Sequence, residues 1–349
     1  MRVLILYTEL AGYVVGNINR FLCAKTDAEV LLIHYPVNPE APFQIKTSDA
    51  VKSFEYQKDQ ETEITRLVLA FNPQLVLCSG WSNPFYLAIL KKLPAGVKKV
   101  VCFDNRWKAT LKQRLLVLLS RFFILNRFQY AWVPGSPQKT YALKLGFRPD
   151  RVFTGLYPAD SDVFSAIGKK KLEQTGPYPK LMLSVARYIP QKDLPTLWKA
   201  FISANQKTGN QWKLNCIGLG DLYEERMQHP QIHHLGFKQP HEMEAYILAA
   251  GVFVLPSTDE PWGVAVHEMA LSALPMILSD QVGAADMFLN SQNGFTFPAG
   301  DVNALENILI NVMKMDDKQL RSMAAKSYEL GKQLLSENWT NTIMHILNA

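Results

Sequence analysis

The sequence predicts an α/β protein with two parallel-sheet domains, and three observations support this prediction. Short apolar runs rich in Val, Ile and Leu alternate with longer amphipathic stretches along the 349 residues. Apolar strands that alternate with helices are typical of parallel sheets covered by helices on both faces. A chain of this length suggests two domains of roughly 100–200 residues each. A polar, charged stretch with turn residues lies near the middle, at residues 165–179.

The predicted strands form two groups, six before the polar stretch and five after it. They are Val3–Tyr7, Val30–His34, Leu75–Ser79, Val100–Phe103, Ala131–Val133, Val152–Thr154, Leu181–Val185, Lys213–Ile217, Ile232–Leu235, Val252–Leu255 and Met276–Leu278. The polar stretch predicts a first domain at 1–165 and a second at 166–335, with a C-terminal helix at about 336–349 returning to the first. Both domains are expected to be Rossmann-like, with ligands held beyond the carboxyl ends of the strands in a cleft between two facing sheets.

Composition narrows the class of protein. The four cysteines are scattered and form no C-x-x-C, which favours a reducing compartment over a disulfide framework or zinc site. The first residues, MRVLILYTEL, are too short for a signal peptide and predict a buried strand, and no apolar run reaches the about 18 residues of a membrane-spanning helix. The sequence therefore predicts a cytoplasmic protein. The sequence has no spaced His/Cys/Asp cluster and no D-x-D at a strand end, the patterns that would suggest a metal site. Neither a metal nor a cofactor is therefore expected.

The strongest motif is the segment from Glu260 to Glu268, EPWGVAVHE, which follows the strand VFVLPS and opens a helix. Gly263 lets the backbone approach a ligand closely, and the free N–H groups of the next turn favour an anion such as phosphate. Two carboxylates held apart in this way can bind hydroxyls at two ends of a polyol. The alternative is a pair of surface glutamates that flank a turn.

A second motif places Arg187 and Lys192 after the strand Leu181–Val185, beside a helix predicted to begin near Asp193–Pro195. An arginine fork and a lysine point charge at a helix N-terminus suit a diphosphate. The alternative is two solvated loop cations.

Two glycine loops give weaker signals. The segment Ile217–Asp221, IGLGD, lacks the third glycine of a dinucleotide motif and is more typical of a tight turn. Gly12, in the loop after the first strand, could approach donor phosphates. His34 and His267 are interpreted as structural residues rather than ligands.

A strongly basic stretch runs from Lys98 to Arg127. It holds eight Lys or Arg against the single acid Asp104, a net of +7 in a chain whose net charge is +6. Within it, residues 110–127 combine an apolar core with flanking cations, as a helix lying on an anionic membrane surface does. The alternative is a helix buried against the first sheet. The basic face predicts an anionic partner, here a membrane surface, and no nucleic acid.

Together these motifs resemble the retaining GT-B glycosyltransferases of glycosyltransferase family 4 (glycosyl transferases group 1), from SVARYIPQKDLPTLWKAF to GFTFPAGDVNAL. The resemblance implies that Glu260 contacts the donor sugar and Glu268 the ribose hydroxyls, while Arg187 and Lys192 bind the diphosphate. It further implies a donor-facing backbone at Trp262, Gly263 and Val264, and a segment near the base at Gly236, Phe237 and Lys238.

The sequence also departs from that family. The family's glycine before the proline after the acidic helix is Leu274 here, and its double glycine and glutamate appear as VGAAD at 282–286. The family's histidine near the fourth strand is absent, and Asp104, Asn105 or Arg106 is expected to take its place on the acceptor or sugar side. The first domain is therefore expected to bind the acceptor and the second to bind the donor.

The resemblance implies transfer of a sugar, with retention and without a metal, from a UDP- or GDP-sugar to a glycan or lipid-linked acceptor. Surface polysaccharide or glycolipid synthesis is the expected setting, on the inner face of the plasma membrane. Two alternatives remain: a nucleotide-sugar epimerase of the same fold, which should carry added carboxylates and histidines, and a non-catalytic nucleotide-sugar-binding subunit. The latter should have lost one of the four charged site residues, and none is lost.

Overall fold

The chain divides into two compact units. The computed structural model describes residues 1–44, 47–209 and 211–349. Unit 1 comprises Met1–Asn38, Phe43–Pro158 and Leu335–Ala349, and unit 2 comprises Pro39–Pro42 and Ala159–Leu334.

The boundary lies between Pro158 and Ala159 rather than between 165 and 166. The first part of the polar stretch, residues 165–172, belongs instead to one continuous helix, Ser161–Leu172, and only residues 173–179 form an irregular connection to the strand Leu181–Val185. Asp160 begins this helix, because its carboxylate accepts a hydrogen bond of 3.2 Å from the Val163 N–H and so satisfies a free first-turn donor. The run of lysines is the last turn of a helix, where cations are favourable.

Unit 1 contains a seven-stranded sheet in which all neighbouring strands are parallel, in the order β3-β2-β1-β4-β5-β6-β7. The strands are β1 Arg2–Tyr7, β2 Glu29–His34, β3 Val51–Glu55, β4 Leu75–Ser79, β5 Lys98–Cys102, β6 Tyr130–Trp132 and β7 Val152–Phe153. Its helices are α1 Gly12–Ala24, α2 Glu61–Phe71, α3 Pro84–Lys92, α4 Leu111–Phe123, α5 Ser136–Lys144 and the C-terminal α13 Ser336–Asn348.

The sheet of unit 1 is apolar on both faces. Along β1, Val3 and Ile5 pack into one core cluster, and Leu4 and Leu6 pack into another. In the first cluster Trp339 of α13 lies 6.1 Å from the Phe21 ring and 5.4 Å from the Trp132 ring. Burial on both faces explains why these strands are continuous apolar runs.

Unit 2 contains a six-stranded parallel sheet in the order β10-β9-β8-β11-β12-β13. The strands are β8 Leu181–Val185, β9 Lys213–Ile217, β10 Ile232–His234, β11 Val252–Leu255, β12 Met276–Ser279 and β13 Gly294–Phe297. The helices are α6 Ser161–Leu172, α7 Leu194–Lys207, α8 Met243–Ala249, α9 Val264–Leu271, α10 Ala285–Phe288, α11 Val302–Met313 and α12 Asp317–Gly331.

All predicted strands are confirmed within two residues at each end, but β3 and β13 were missed. Strand β3 lies at the sheet edge, and only Val51 among its five residues is buried, so it lacks the apolar run that identified the others. Strand β13 begins with Gly294, whose added Cβ would lie 2.0 Å from the Met276 carbonyl oxygen. The glycine that hides this strand in the sequence is what permits its close pairing.

Helix α4, in the basic stretch, is not a buried core helix. Leu116 and Val117 pack against the core of unit 1, but Ser120 is its only fully buried residue among those described. In the described part of the chain, no helix combines the length and hydrophobicity needed to cross a bilayer. Cys78, Cys102 and Cys216 are buried as unpaired thiols, and Cys23 is exposed.

Candidate active site

The strand order of unit 2 creates a defined place for a ligand. Strand β8 pairs with β9 on one side and with β11 on the other, so the chain reverses direction across the sheet at the β8/β11 boundary. Open parallel sheets bind ligands beyond the carboxyl ends of the strands at such a switch point. The loops that follow β8 and β11 carry Arg187, Lys192 and Glu260.

Lys192 and Glu260 form an ion pair at this switch point. The lysine Nζ donates to Glu260 Oε2, and the side chains are only 16% and 10% exposed. Ser257 Oγ donates to the same carboxylate oxygen at 3.1 Å. The two loops are also tied through their backbones, because the Thr258 N–H donates to the Gln191 carbonyl at 2.8 Å. The two residues, distant in sequence, are therefore held as one group.

Gly263 turns the chain from the Glu260 loop into α9. Its φ is +94°, in the left-handed region, and a Cβ there would lie 3.0 Å from Glu260 Cγ, so a larger residue would be both strained and crowded. No side chain caps α9. The N–H groups of Val264 and Ala265 therefore lie in its first turn, beside the Glu260 carboxylate, without a side-chain acceptor from the capping position. A helix N-terminus of this kind favours an anion.

The loop is anchored from behind by the segment that departs from the family pattern. The Gly283 N–H donates to the Glu260 carbonyl and the Ala284 N–H to the Trp262 carbonyl, both at 2.9 Å. The Trp262 ring is buried and meets Phe288 edge to face at 6.0 Å. Trp262 is thus placed to offer a ligand its backbone rather than its indole.

Arg187 follows β8 and is paired with Glu40. Its Nη1 donates to Glu40 Oε2 at 3.3 Å, and the two side chains are 35% and 21% exposed. Glu40 belongs to the short segment Pro39–Pro42 that clusters with unit 2, and Gln239 Nε2 donates to the Pro42 carbonyl at 2.8 Å. The guanidinium predicted to bind a diphosphate is therefore held by a carboxylate.

The two glycines of the IGLGD segment position the Arg187 loop. A Cβ on Gly218 would lie 1.9 Å from the Ala186 carbonyl oxygen, and one on Gly220 would lie 2.6 Å from that of Tyr188. The backbones bond directly, since the Tyr188 N–H donates to the Leu219 carbonyl at 2.8 Å. The predicted tight turn begins at Gly220, whose carbonyl accepts the Tyr223 N–H at 2.9 Å. The two glycines also let the loop after β9 lie against the loop after β8.

Glu268 lies on α9, a turn beyond the helix N-terminus, and is partly buried. Burial and the negative charge of Asp160 raise its pKa to about 7. The neighbouring His267 is structural, as predicted. Its Nδ1 accepts the Ala159 N–H at 2.9 Å, and its Nε2 then carries the proton and donates to the Gly331 carbonyl at 3.0 Å. Burial lowers the pKa of His267 to about 4.

The segment predicted to lie near the base follows β10. Gly236 has a φ of +67°, and a Cβ built on it would meet nothing within 4 Å, while its carbonyl accepts the Gly218 N–H at 2.9 Å. Phe237 and Lys238 are partly buried, and Lys238 Nζ lies 5.7 Å from the centre of the Tyr246 ring. This segment therefore joins the β8 and β9 loops at the same edge of the sheet.

The predicted residues of unit 1 lie at the carboxyl edge of its own sheet. Gly12 is the first residue of α1, after β1, and Asp104, Asn105 and Arg106 follow β5. Burial, then the Asp104 charge, raises the pKa of Tyr157 well above its usual value. Asn105 is exposed, whereas Asp104 and Arg106 are partly buried.

The structure thus brings Glu260, Lys192, Gly263 and the start of α9 together, with Arg187 in the adjoining loop. Sequence reasoning missed Ser257, Glu40 and Asp160. Ser257 lies two residues after β11, a strand of the switch point, which is a usable signal. Nothing in the sequence links Glu40 to Arg187 across 147 positions. Within the described residues, no three His, Cys, Asp or Glu side chains are grouped to share a metal ion.

Comparison with known protein families indicates the class of protein that unit 2 resembles. Residues 169–330, which lie within unit 2, match the model of the family described as Glycosyl transferases group 1. This region is therefore similar in sequence to glycosyltransferases.

Particular relatives agree with that class. A probable sucrose-phosphate synthase from Solanum tuberosum is 28% identical over 172 residues, which cover 42% of this chain and 16% of that protein. The amylovoran biosynthesis glycosyltransferase AmsK from Erwinia amylovora is 28% identical over 155 residues, covering 41% of this chain and 38% of AmsK. The chain therefore spans well under half the length of these curated relatives.

A solved structure extends the likeness to the whole fold. The crystal structure of HepE from Anabaena, in complex with UDP and glucose, matches with a TM-score of 0.71 and 15% identity, and covers 99% of both chains. The architecture is GT-B, with two Rossmann-like parallel-sheet units of seven and six strands.

Proposed function

We propose that the protein is a retaining glycosyltransferase that moves a sugar from a UDP- or GDP-sugar to a hydroxyl group of a glycan or lipid-linked acceptor. The observation that carries the proposal is the convergence of Lys192, Glu260 and the N-terminus of α9 at the switch point of unit 2. A cation, a carboxylate and a helix N-terminus together match a ligand that combines a diphosphate with sugar hydroxyls.

The names of similar proteins support the same ligand class. HepE was crystallised with UDP and glucose, and AmsK is named for the biosynthesis of a polysaccharide. We therefore assign the donor to unit 2, at residues 159–334, and the acceptor to unit 1. Asp104, Asn105 and Arg106 are the proposed acceptor-side residues, and Gly12 is proposed to face the donor phosphates.

In the proposed reaction the bond between the anomeric carbon and the diphosphate oxygen breaks, and a bond from that carbon to the acceptor oxygen forms on the same face. The acceptor proton passes to the departing phosphate. Negative charge grows on the diphosphate as its bond breaks, so Arg187, Lys192 and the α9 N–H groups act most strongly in the transition state. Glu260 orients the sugar hydroxyls, and Glu268 orients the ribose.

Cationic side chains take the role that a divalent metal plays elsewhere, so the proposed reaction needs neither metal nor cofactor. Lys192 is already oriented by Glu260, whereas a diphosphate would take the place of Glu40 on Arg187. Groups fixed before the reaction need little reorganisation at the moment when charge develops. The proposed setting is the synthesis of surface polysaccharide or glycolipid at the inner face of the plasma membrane.

The test measures the release of nucleotide diphosphate from a panel of UDP- and GDP-sugars in excess chelator, with glycan and lipid-linked acceptors. We expect turnover without a metal and a product with the anomeric configuration of the donor, read by NMR. Replacing Arg187 or Lys192 with Ala should lower kcat about 10²–10³-fold, with a smaller change in the donor KM. The matched control is Lys199→Ala, an exposed lysine on α7.

Three results would overturn the proposal. One is activity that vanishes with chelator and returns with magnesium or manganese. Another is unchanged kcat in both variants. The third is conversion of the donor sugar to its epimer with no transfer, which would assign the site to an epimerase.

A further inference from the structure

Helix α4 presents a row of large apolar side chains to solvent. Leu111, Leu118 and Phe122 are 84%, 73% and 58% exposed. Their spacing, with Leu115 between them, follows one face of a helix. Among the described residues, ten large hydrophobic side chains are exposed, and six of them belong to α4: Leu111, Leu115, Leu118, Leu119, Phe122 and Phe123.

The opposite face of α4 is firmly packed, so its orientation is fixed. Leu116 and Val117 pack on the core of unit 1, and Ser120 Oγ donates to the Leu145 carbonyl at 2.7 Å. The next residue after the helix, Ile124, is fully buried. The exposed row is therefore not the side of the helix that packs on unit 1, because Leu116, Val117 and Ser120 already form that side.

Cations surround the apolar row, and acids are absent. The sequence contains no Asp or Glu from residue 105 to residue 149. The exposed or partly buried cations on and beside the helix are Lys108, Lys112, Arg114, Arg121 and Arg127. A group of six neighbouring exposed apolar side chains is typical of an interaction site, and its basic border favours a partner with negative charge.

We propose that α4 is a docking surface for an anionic lipid bilayer, with its apolar row inserted at the level of the headgroups and its cations on lipid phosphates. A helix of this composition lies in the plane of the interface, and apolar burial and charge attraction act together. A second copy of this chain is a poor occupant, since two identical basic faces repel one another. An anionic bilayer supplies an apolar layer for the exposed side chains of α4 and negatively charged headgroups for its cations.

Docking at α4 would also bring the proposed acceptor loop to the bilayer. Gln113 Nε2, on α4, donates to the Arg106 carbonyl at 2.7 Å, and Gln113 Oε1 accepts the Lys108 N–H at 2.7 Å. The loop that holds Asp104–Arg106 is thus tied to the helix. This step rests on the proposed function, and it favours the lipid-linked class of acceptor over a soluble glycan.

The test is sedimentation of the full chain with phosphatidylcholine vesicles, with and without phosphatidylglycerol, at low and high salt. We expect binding to the anionic vesicles at low salt, release at high salt, and little binding to phosphatidylcholine alone. Changing Lys108, Lys112, Arg114 and Arg121 to Gln should weaken binding at least about 100-fold. Changing Leu115, Leu118 and Phe122 to Ser should also abolish sedimentation.

Matched controls exist on the same chain. Lys52, Lys58, Lys91 and Lys92 are exposed lysines elsewhere in unit 1, and their change to Gln should leave binding intact. Leu69 and Leu172 are exposed leucines outside α4, and Leu69→Ser with Leu172→Ser should do the same. Thermal unfolding of every variant confirms that the fold is kept.

The proposal is overturned if the wild type ignores anionic vesicles, if it binds phosphatidylcholine equally, or if the α4 variants bind like the controls. It is also overturned if the α4 variants convert a dimer to a monomer, because the face would then join two copies. Nucleotide binding by the α4 variants keeps the two proposals separate. Normal nucleotide binding with lost vesicle binding supports docking, whereas vesicle binding without nucleotide binding refutes only the proposed donor site.

Discussion

The carboxyl group of Glu268 lies in surroundings that disfavour its ionised form. Its pKa rises to about 7 because partial burial and the nearby negative charge of Asp160 both disfavour the ionised carboxylate. A carboxyl group whose pKa is raised on folding contributes stability below its unfolded pKa, near 4.5, and loses that contribution as the pH rises through 7. Such an unfavourable charge in a folded chain is typical of a site built for a ligand.

The first prediction compares the wild type with Glu268→Gln. Between pH 4.5 and pH 8, the free energy of unfolding of the wild type should fall relative to the variant by about 1–3 kcal/mol. Urea denaturation at each pH measures it. A second variant, Glu268→Ala, should bind nucleotide more weakly than the wild type by about 1.5–3 kcal/mol. Parallel stability profiles and equal nucleotide affinities would show that Glu268 has no such role.

The second prediction concerns Glu40, whose carboxylate holds Arg187. If Arg187 binds the donor as proposed, a diphosphate must displace Glu40, so removing the Glu40 charge removes the cost of breaking a partly exposed ion pair. Glu40→Gln should tighten binding of UDP or GDP about two- to fivefold, equivalent to about 0.5–1 kcal/mol. Calorimetric titration measures this change. Glu55→Gln, an exposed glutamate in unit 1, is the control, and a weaker affinity in Glu40→Gln would refute the competition.

At the scale of the elements, features that depend on local sequence pattern could be predicted, whereas contacts between segments distant in sequence could not. Strands buried on both faces, such as β1 and β11, can be recognised in the sequence as apolar runs. Gly263 before an apolar helix predicts a loop that favours phosphate. The edge strand β3 and the glycine-led β13 carry no such run. The pairing of Lys192 with Glu260 could be placed from the two neighbouring strand ends, but Glu40 reaches Arg187 only through tertiary structure.

The third prediction tests the close approach of the loops after β8 and β9. Gly218→Ala places a methyl group 1.9 Å from the Ala186 carbonyl oxygen, so the loop that carries Arg187 must move. We expect a loss of stability of about 1–3 kcal/mol together with weaker nucleotide binding.

The control for that prediction is Gly176→Ala. Gly176 also has a positive φ, +89°, but a Cβ there meets nothing within 4 Å. It carries the backbone strain, about 1–2 kcal/mol, without the crowding, and nucleotide binding should stay unchanged. Equal nucleotide affinity in both variants would mean that the glycine contact does not position Arg187.

At the scale of the whole molecule, two units with the same Rossmann-type strand order share one chain but differ in chemistry. Unit 2 concentrates charged groups at its switch point, whereas unit 1 carries the basic, apolar surface of α4. The sequence predicted both units and the strand ends that carry Arg187, Lys192 and Glu260. It put the boundary inside α6, because the cation-rich end of that helix resembles a linker in composition.

Calorimetric titration of UDP and GDP in excess chelator tests the central claim most directly, that the switch point of unit 2 binds a nucleotide diphosphate through protein cations. We predict that the wild type binds at least one of the two without metal, and that Lys192→Ala weakens this binding by about 1.5–3 kcal/mol, while Lys199→Ala leaves it unchanged. Binding that appears only with a divalent metal, or an affinity that Lys192→Ala leaves unaltered, would contradict the account.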